Sequence, residues 1–426
     1  MTDRQLVLNL FSPPFEAWRQ PDVDTGRAWS IDALVRLAQD AERALFDAIF
    51  LADSPSLGEG YTTPEPFTVL SVIAAHTTYL GLAPTILTTY SEPYNTARKI
   101  ATLDQLTGGR VGWNAVTGSQ PSVAPNFGPT AHPEHALRYE RGEEYIEIVK
   151  ALWDSWEPDA FVAGPWPTAT LDHGKIHPVP FRGKHFQLDA LFNVPRSPQG
   201  RPVIFHAGSS DTGRDQGARH ADAIFTAQPT IEAAREFYQD FKRRVAGFGR
   251  NPAHALVLPG ILPIIGSTEA EAQAALDAFN ANVDLDQAIV RLHHQIGLDV
   301  RGLDLDAPIP AAVWDAAGQS FTSRAAVMRA EAEQGGYTAR QVVLRATAAF
   351  GHHLIVGTPE QVADDIELWF RTGAADGFNY RIPGGREPLE QFINHVLPLL
   401  QGKGIFRKEY TARTLRGHYG LPVPPR

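Results

Sequence analysis

The chain has 426 residues, 43% of them hydrophobic, and a formal net charge of −10. That length suits one large α/β barrel with insertions or two domains, and the acidity argues against a nucleic-acid face, which needs a basic patch. Cysteine is absent, which excludes disulfides, thiolate metal sites and a thiol nucleophile. No stretch approaches the roughly 18–20 apolar residues of a membrane span, and the first apolar run is too short for a signal peptide. A cytoplasmic protein without a membrane partner is expected.

Residues 5–11 (QLVLNLF) read as a strand stopped by Pro13-Pro14. Ser30 is an N-cap candidate for a helix to about residue 45, with Ile31, Leu34, Leu37 and Ala38 on one face. Residues 46–52 (FDAIFLA) form a second strand, with Asp53 just past its end. Glu65 opens a helix, and residues 81–87 form a third strand ending in Thr88-Thr89. The next helix carries Ile100, Leu103 and Leu106 and ends at Gly108-Gly109, which can supply a positive-φ stop. Residues 110–116 then bring Trp113 and Asn114 to a strand's carboxyl end, followed by a polar loop.

A periodic helix covers 135–156. Residues 157–198, rich in Pro, Gly and His, break the pattern. It resumes with a strand at 202–206, a Gly-Ser loop at 207–210, a helix, a strand at 223–227, a helix, an apolar run at 256–265 and a helix from 269. Residues 284–350 form a mixed region with no assignable order. Thr358 and Pro359 open a helix, residues 377–380 form the last strand, 389–400 the last helix, and the tail, 402–426, ends in Pro-rich coil. About eight strand–helix alternations favour a TIM (β/α)8 barrel, an α/β fold. It is one domain over 1–426, with insertion segments at about 157–198 and 284–350 and a tail at 402–426.

Chemistry in such folds sits at the carboxyl ends of the strands. The residues there are Asp53, Thr88, Thr89, Asn114, Ser209, Ser210 and Phe378-Asn379, a set rich in neutral hydrogen-bonding groups and poor in acids and bases. It suits holding a polar cofactor better than hydrolysing a bond. The Gly-Ser-Ser loop before a helix can cradle a phosphate or be a plain turn. Asp53 and Asn114 can equally satisfy local backbone, and His135 and Tyr139, one helical turn apart, can be surface. The pairs His293-His294 and His352-His353 point to different faces, so no metal site is expected. Glu143-Glu144 reads as a solvated helix face.

The stretch ATLDQLTGGRVGWNAVTGS…APNFG, with HALRYERGEEYIEIVKALWDSW, FLADS, FHAGSSDTGRD, VGTPEQVADDIELWF and FRKEYTARTLRGHYGL, resembles the bacterial-luciferase-like flavin-dependent monooxygenases. It is most similar to the nitrilotriacetate, EDTA and dibenzothiophene-sulfone group, over nearly the whole chain. The resemblance implies a TIM barrel and a two-component enzyme. Reduced FMN (FMNH2) comes from a separate NAD(P)H:flavin reductase, O2 is co-substrate, and a C4a-(hydro)peroxyflavin passes one oxygen to a small molecule. It also implies a homodimer or homotetramer. By the same resemblance Asp53, Thr88 and Thr89 line the flavin ring and ribityl chain, and Asn114 is the catalytic amide beside the ring. His135, Tyr139, Ser209 and Ser210 meet the phosphate end. Phe11, Trp18, Trp113 and Phe378 are wall candidates, and both insertions are lid candidates. Two departures fall where specificity would be set: no His precedes AWR in SPPFEAWR, and Pro125 replaces the Arg common in ARNFG. An F420-dependent oxidoreductase of the same superfamily and a non-catalytic flavin-binding protein remain alternatives.

Overall fold

The computed structural model describes residues 4–12, 29–57, 64–128, 131–162, 170–317, 322–383 and 386–425. In chain order, β1 is Val7–Ser12, α1 Ile31–Arg43, β2 Ala48–Leu51, α2 Pro66–Ala74, β3 Gly81–Leu87, α3 Pro93–Leu106, β4 Gly112–Val116 and α4 His135–Trp153. There follow β5 Val203–His206, α5 Asp211–His220, β6 Ala223–Thr226, α6 Ile231–Gly247, β7 Leu256–Ile265 and α7 Glu269–Ala281. Caps mark the helix starts as expected: Ser30 Oγ accepts from Ala33 N at 3.3 Å, and α3 ends before Gly108 and Gly109 at φ 67° and 96°.

Four helices follow α7, namely α8 Leu285–Ile296, α9 Ala311–Ala316, α10 Thr322–Gly335 and α11 Ala339–Ala348. They bury a cluster of their own around Leu292, Trp314, Met328 and Val343. Then come β8 His353–Gly357, α12 Pro359–Arg371 and β9 Gly377–Arg381. The parallel pairings run β1–β2–β3–β4–β5–β6–β7–β9 and close through β9–β1, giving the eight-stranded barrel. The strand β8 lies outside the ring, paired to the far half of β7 (Ile261 with His353 through Ile265 with Gly357). Sequence reading missed it because HLIVG is short and runs straight into the Thr358 helix cap.

Side chains alternate across every strand. Leu8, Leu10, Ile49, Leu82 and Trp113 face the helices in the main apolar cluster, whereas Phe11, Phe50, Phe205 and Phe225 fill the barrel interior. The tail ends in coil as expected, at 421–425, but reaches the core before it does so. Leu415, Tyr419 and Leu421 pack into the interior cluster with Val7, Ala48, Ala83 and Val203, all near the amino ends of their strands. The buried pair Arg416–Asp222 (2.8 Å) ties the tail to the β5–β6 side. Among the described residues, no helix is long and apolar enough to cross a membrane.

Candidate functional site

A cavity of about 590 Å³ opens at the carboxyl ends of the barrel strands, within the roughly 300–1,000 Å³ typical of small-molecule sites. Its floor is aromatic. Phe11 and Phe225 meet edge to face at 4.8 Å, Phe50 and Phe225 at 5.7 Å, and Phe205 lies below Phe50 at 5.4 Å. Such pairs are rigid and worth about 0.5–1.5 kcal/mol each beyond their burial.

On the wall, Asn114 of β4 donates its Nδ2 to Thr85 Oγ1 at 2.9 Å. Its Oδ1 is buried and has no hydrogen-bond partner. A buried acceptor left unpaired costs about 1–3 kcal/mol, so a ligand donor arriving there is favoured. Asp53 lines the same cavity at the exit of β2, half-buried.

The opposite lobe is built from the start of α4 and the turn into α5. His135 and Tyr139 bring their rings to 4.7 Å. The Tyr139 hydroxyl lies between Ser210 and Thr117, and burial pushes its pKa up. Burial, then the neighbouring Arg138, pushes His135 down, so its imidazole is neutral. Arg138, itself buried, donates to the Gly118 carbonyl. Ser210 caps α5 by accepting from Gly213 N at 3.1 Å, and Ser209 Oγ is 3.4 Å from Thr226 Oγ1. A Cβ on Gly208 would stand 2.9 Å from Gly213 Cα and from His206 Nε2, so only glycine lets the loop lie on the helix start. His206 points away from the cavity, with Nδ1 at 2.7 Å from the Ala115 carbonyl, and burial lowers its pKa to about 4. The result is a helix N-terminus with hydroxyls around it, which favours a phosphate or another anion.

Six of the expected site residues thus surround one cavity: Asp53, Asn114, His135, Tyr139, Ser209 and Ser210. Thr88 and Thr89 do not. Their hydroxyls turn to the Val116 and Thr117 carbonyls (3.4 and 2.6 Å), tying the exit of β3 to that of β4 behind the wall. Of the wall candidates, Phe11 lines the cavity and Trp18 falls outside the described residues. Trp113 and Phe378 are fully buried on the helix side, Trp113 against Tyr145 and Trp153, Phe378 against Trp369. Strand alternation explains this: Asn114 and Asn379 point inward, so the residues before them point out. The insertion at 284–350 covers the cavity with Arg291, Leu292, Arg324 and Phe350, but no described residue of 157–198 reaches it. That segment forms two hairpins, Phe161–Val162 with Thr170–Leu171 and Val179–Arg182 with Gln187–Ala190. Pro125 is exposed in the 3-10 turn Pro121–Phe127.

Glu143 and Glu144 are not merely solvated. Glu143 holds Arg219 at 2.6 Å and His220 at 2.7 Å, and Glu144 accepts from the backbone of Lys184, His185 and Phe186. Glu147 stands close enough to Glu143 and His220 to complete a three-ligand set, well outside the cavity wall. The neighbours His352 and His353 do diverge: His352 stacks on Phe225 inside (5.2 Å), His353 reaches Asp365 outside (2.8 Å). Sequence reasoning missed Arg291, Arg324, His352 and Arg381 on the wall. For Arg381 a signal existed, since it lies two residues after the inward Asn379.

Residues 15–376 match the model of the luciferase-like monooxygenase family. The chain is 43% identical over 414 residues to N-acetyl-S-(2-succino)cysteine monooxygenase of Bacillus subtilis, covering 96% of this chain and 94% of that protein. It is 40% identical to nitrilotriacetate monooxygenase component A of Aminobacter aminovorans, with the same 96% and 94% coverage. The EDTA monooxygenase structure from Chelativorans sp. BNC1 superposes with a TM-score of 0.79 at 33% identity, over 99% of both chains. This chain therefore belongs to the luciferase-like monooxygenase family and is a flavin-dependent monooxygenase.

Proposed function

We propose that this chain is the oxygenase component of a two-component system, taking reduced FMN from a separate NAD(P)H:flavin reductase and passing one atom of O2 to a small organic substrate. The observation that carries this reading is the pairing in one cavity of an unsatisfied amide oxygen over an aromatic floor with a hydroxyl-lined helix N-terminus. The first suits the polar edge of a flat ring, the second its phosphate. A relative whose name calls it component A supports a second component here.

Asp53 and Asn114 would flank the ring, with Phe11, Phe50 and Phe225 below. His135, Tyr139, Ser209 and Ser210 would take the phosphate end, and Thr88 and Thr89 would brace the wall through the β3–β4 exits. When bound, reduced FMN supplies the two electrons that let O2 give one atom to the substrate and the other to water. The protein's task is to orient ring and substrate and to keep water out under the α8–α11 cap.

The test is an anaerobic titration with photoreduced FMN followed by oxygen uptake. Binding is expected, weakened about 10-fold by Asn114→Ala and by Ser209→Ala with Ser210→Ala, the worth of one or two charge-assisted hydrogen bonds. Absence of binding, or binding indifferent to these changes, overturns the assignment.

A further inference from the structure

Arg138 is the fourth residue of α4, and its backbone N–H bonds the Glu134 carbonyl at 3.0 Å, so it stands in the first turn of that helix. A cation is disfavoured there, because the amino end of a helix already carries partial positive charge. Arg138 is only 5% exposed and lines the cavity together with His135, Tyr139, Ser209 and Ser210. Its Nη1 donates to the Gly118 carbonyl, and its Nε is buried with no hydrogen-bond partner. Gly118 follows Thr117, which meets the Tyr139 hydroxyl across from Ser210. The guanidinium therefore rests on the same β4 exit loop that frames the Ser210 turn.

No carboxylate among the described residues offsets this charge. Burial lowers the pKa of Arg138, and the groups acting the other way are Tyr139 and Tyr90. Its field falls on the lobe instead. After burial, Arg138 is what depresses both His132 and His135. With His135 neutral and Tyr139 held protonated, Arg138 is the one charged group of this lobe among the described residues. A buried guanidinium without a counter-ion is unfavourable. The starts of α4 and α5 add positive potential to the same lobe. An anion relieves all three, and a guanidinium fork matches the oxygens of a phosphate.

We infer that, granted the oxygenase reading above, Arg138 is the counter-charge for the flavin's phosphate, so that this lobe takes a phosphate monoester dianion and tells FMN from riboflavin. The hydroxyls of Tyr139, Ser209 and Ser210 orient the group. Arg138 supplies the charge that makes binding conditional on it. Free phosphate shares that chemistry, and the same lobe admits it when no flavin is present.

Photoreduced FMN and photoreduced riboflavin, titrated anaerobically into the full chain and into Arg138→Gln, test this. The natural chain is expected to hold FMN at least about 10-fold tighter than riboflavin. Arg138→Gln is expected to weaken FMN roughly 10–100-fold and to leave riboflavin unchanged. Equal loss of both flavins would make Arg138 a structural residue of α4, and no loss of either would make it idle; each result overturns the inference. Arg138→Lys keeps the charge without the fork and is expected to fall between, which keeps the test open if the glutamine variant misfolds. A second arm needs no flavin. Inorganic phosphate should raise the Tm of the natural chain beyond potassium chloride of equal ionic strength, and should not do so for Arg138→Gln. Phosphate that stabilises both chains alike, or neither, overturns the inference as well. If FMN fails to bind the natural chain while phosphate stabilises it through Arg138, the flavin reading falls and the anion site stands.

Discussion

Tyr419, near the end of the tail, donates its hydroxyl to Asn9 Oδ1 at 2.7 Å inside the barrel. Asn9 in turn donates to Asn379 Oδ1 at 3.0 Å, and Asn379 to the Leu258 carbonyl at 3.1 Å. A polar chain thus crosses an apolar interior with each link satisfied by the next. Tyr419→Phe leaves the Asn9 oxygen without its donor, at an expected cost of about 1–3 kcal/mol. Tyr419→Ala adds a cavity beside Phe205 and should cost about 3–5 kcal/mol. Urea unfolding reads both, and flavin affinity should not change with Tyr419→Phe.

Arg416 and Asp222 form a two-pronged buried pair, at 3.1 and 2.8 Å. Asp222 also accepts from Ile204 N at 2.9 Å, so its carboxylate stays behind if the arginine goes. Arg416→Met is expected to destabilise by about 3–5 kcal/mol, and adding Asp222→Asn should recover part of that loss. Simple additivity of the two would show that the pair is not coupled.

Gly208→Ala tests the proposed phosphate loop through backbone alone. Of the two atoms that a Cβ would meet at 2.9 Å, the α-carbon of Gly213 is backbone and cannot rotate aside. The loop must lift off the start of α5, carrying Ser209 and Ser210 with it. FMN affinity should fall by about 10-fold or more while the far-ultraviolet dichroism stays unchanged.

Acid should loosen the bottom of the barrel through His418. Its Nε2 meets the Tyr79 carbonyl at 2.9 Å, and burial, with Arg407 and Arg110 nearby, lowers its pKa to about 4. The unfolded value is near 6.5. Between these values the unfolded chain takes up a proton that the folded one refuses. The stabilising contribution is therefore complete above about pH 6.5 and is lost as pH falls toward 4, by at most about 1.4 kcal/mol per pH unit. The stability gap between the natural chain and His418→Gln should shrink by up to about 2 kcal/mol from pH 7 to pH 5. A constant gap would show that His418 does not titrate there.

The barrel strands were legible because each apolar run ends at a turn signal and each carries its polar residue at the carboxyl end, as Asp53 and Asn114 do. Two-residue alternation, applied to Trp113 and Asn114, would also have told wall from core. The cap was not legible, since α8 to α11 bury their apolar faces against one another, and such faces look alike whatever they cover. His352 gains meaning only from a neighbour distant in sequence, Phe225. The coil at the end of the tail was legible from its prolines, but the role of Leu415, Tyr419 and Leu421 was not, because they plug a space that only the closed ring creates.

The ten residues of β7 are all buried, and they serve two structures in succession. The near half belongs to the ring, through β6 and β9. The far half carries β8, so the chain leaves the ladder at Ile265 and rejoins it beside Ile261 at His353. The described elements in between, α7 to α11, stand with both feet on a single parallel ladder. A roof footed in that way can tilt about its base but cannot slide across the mouth. Entry and exit of small molecules would then be governed by the rim farthest from β7, over the exits of β2 and β3.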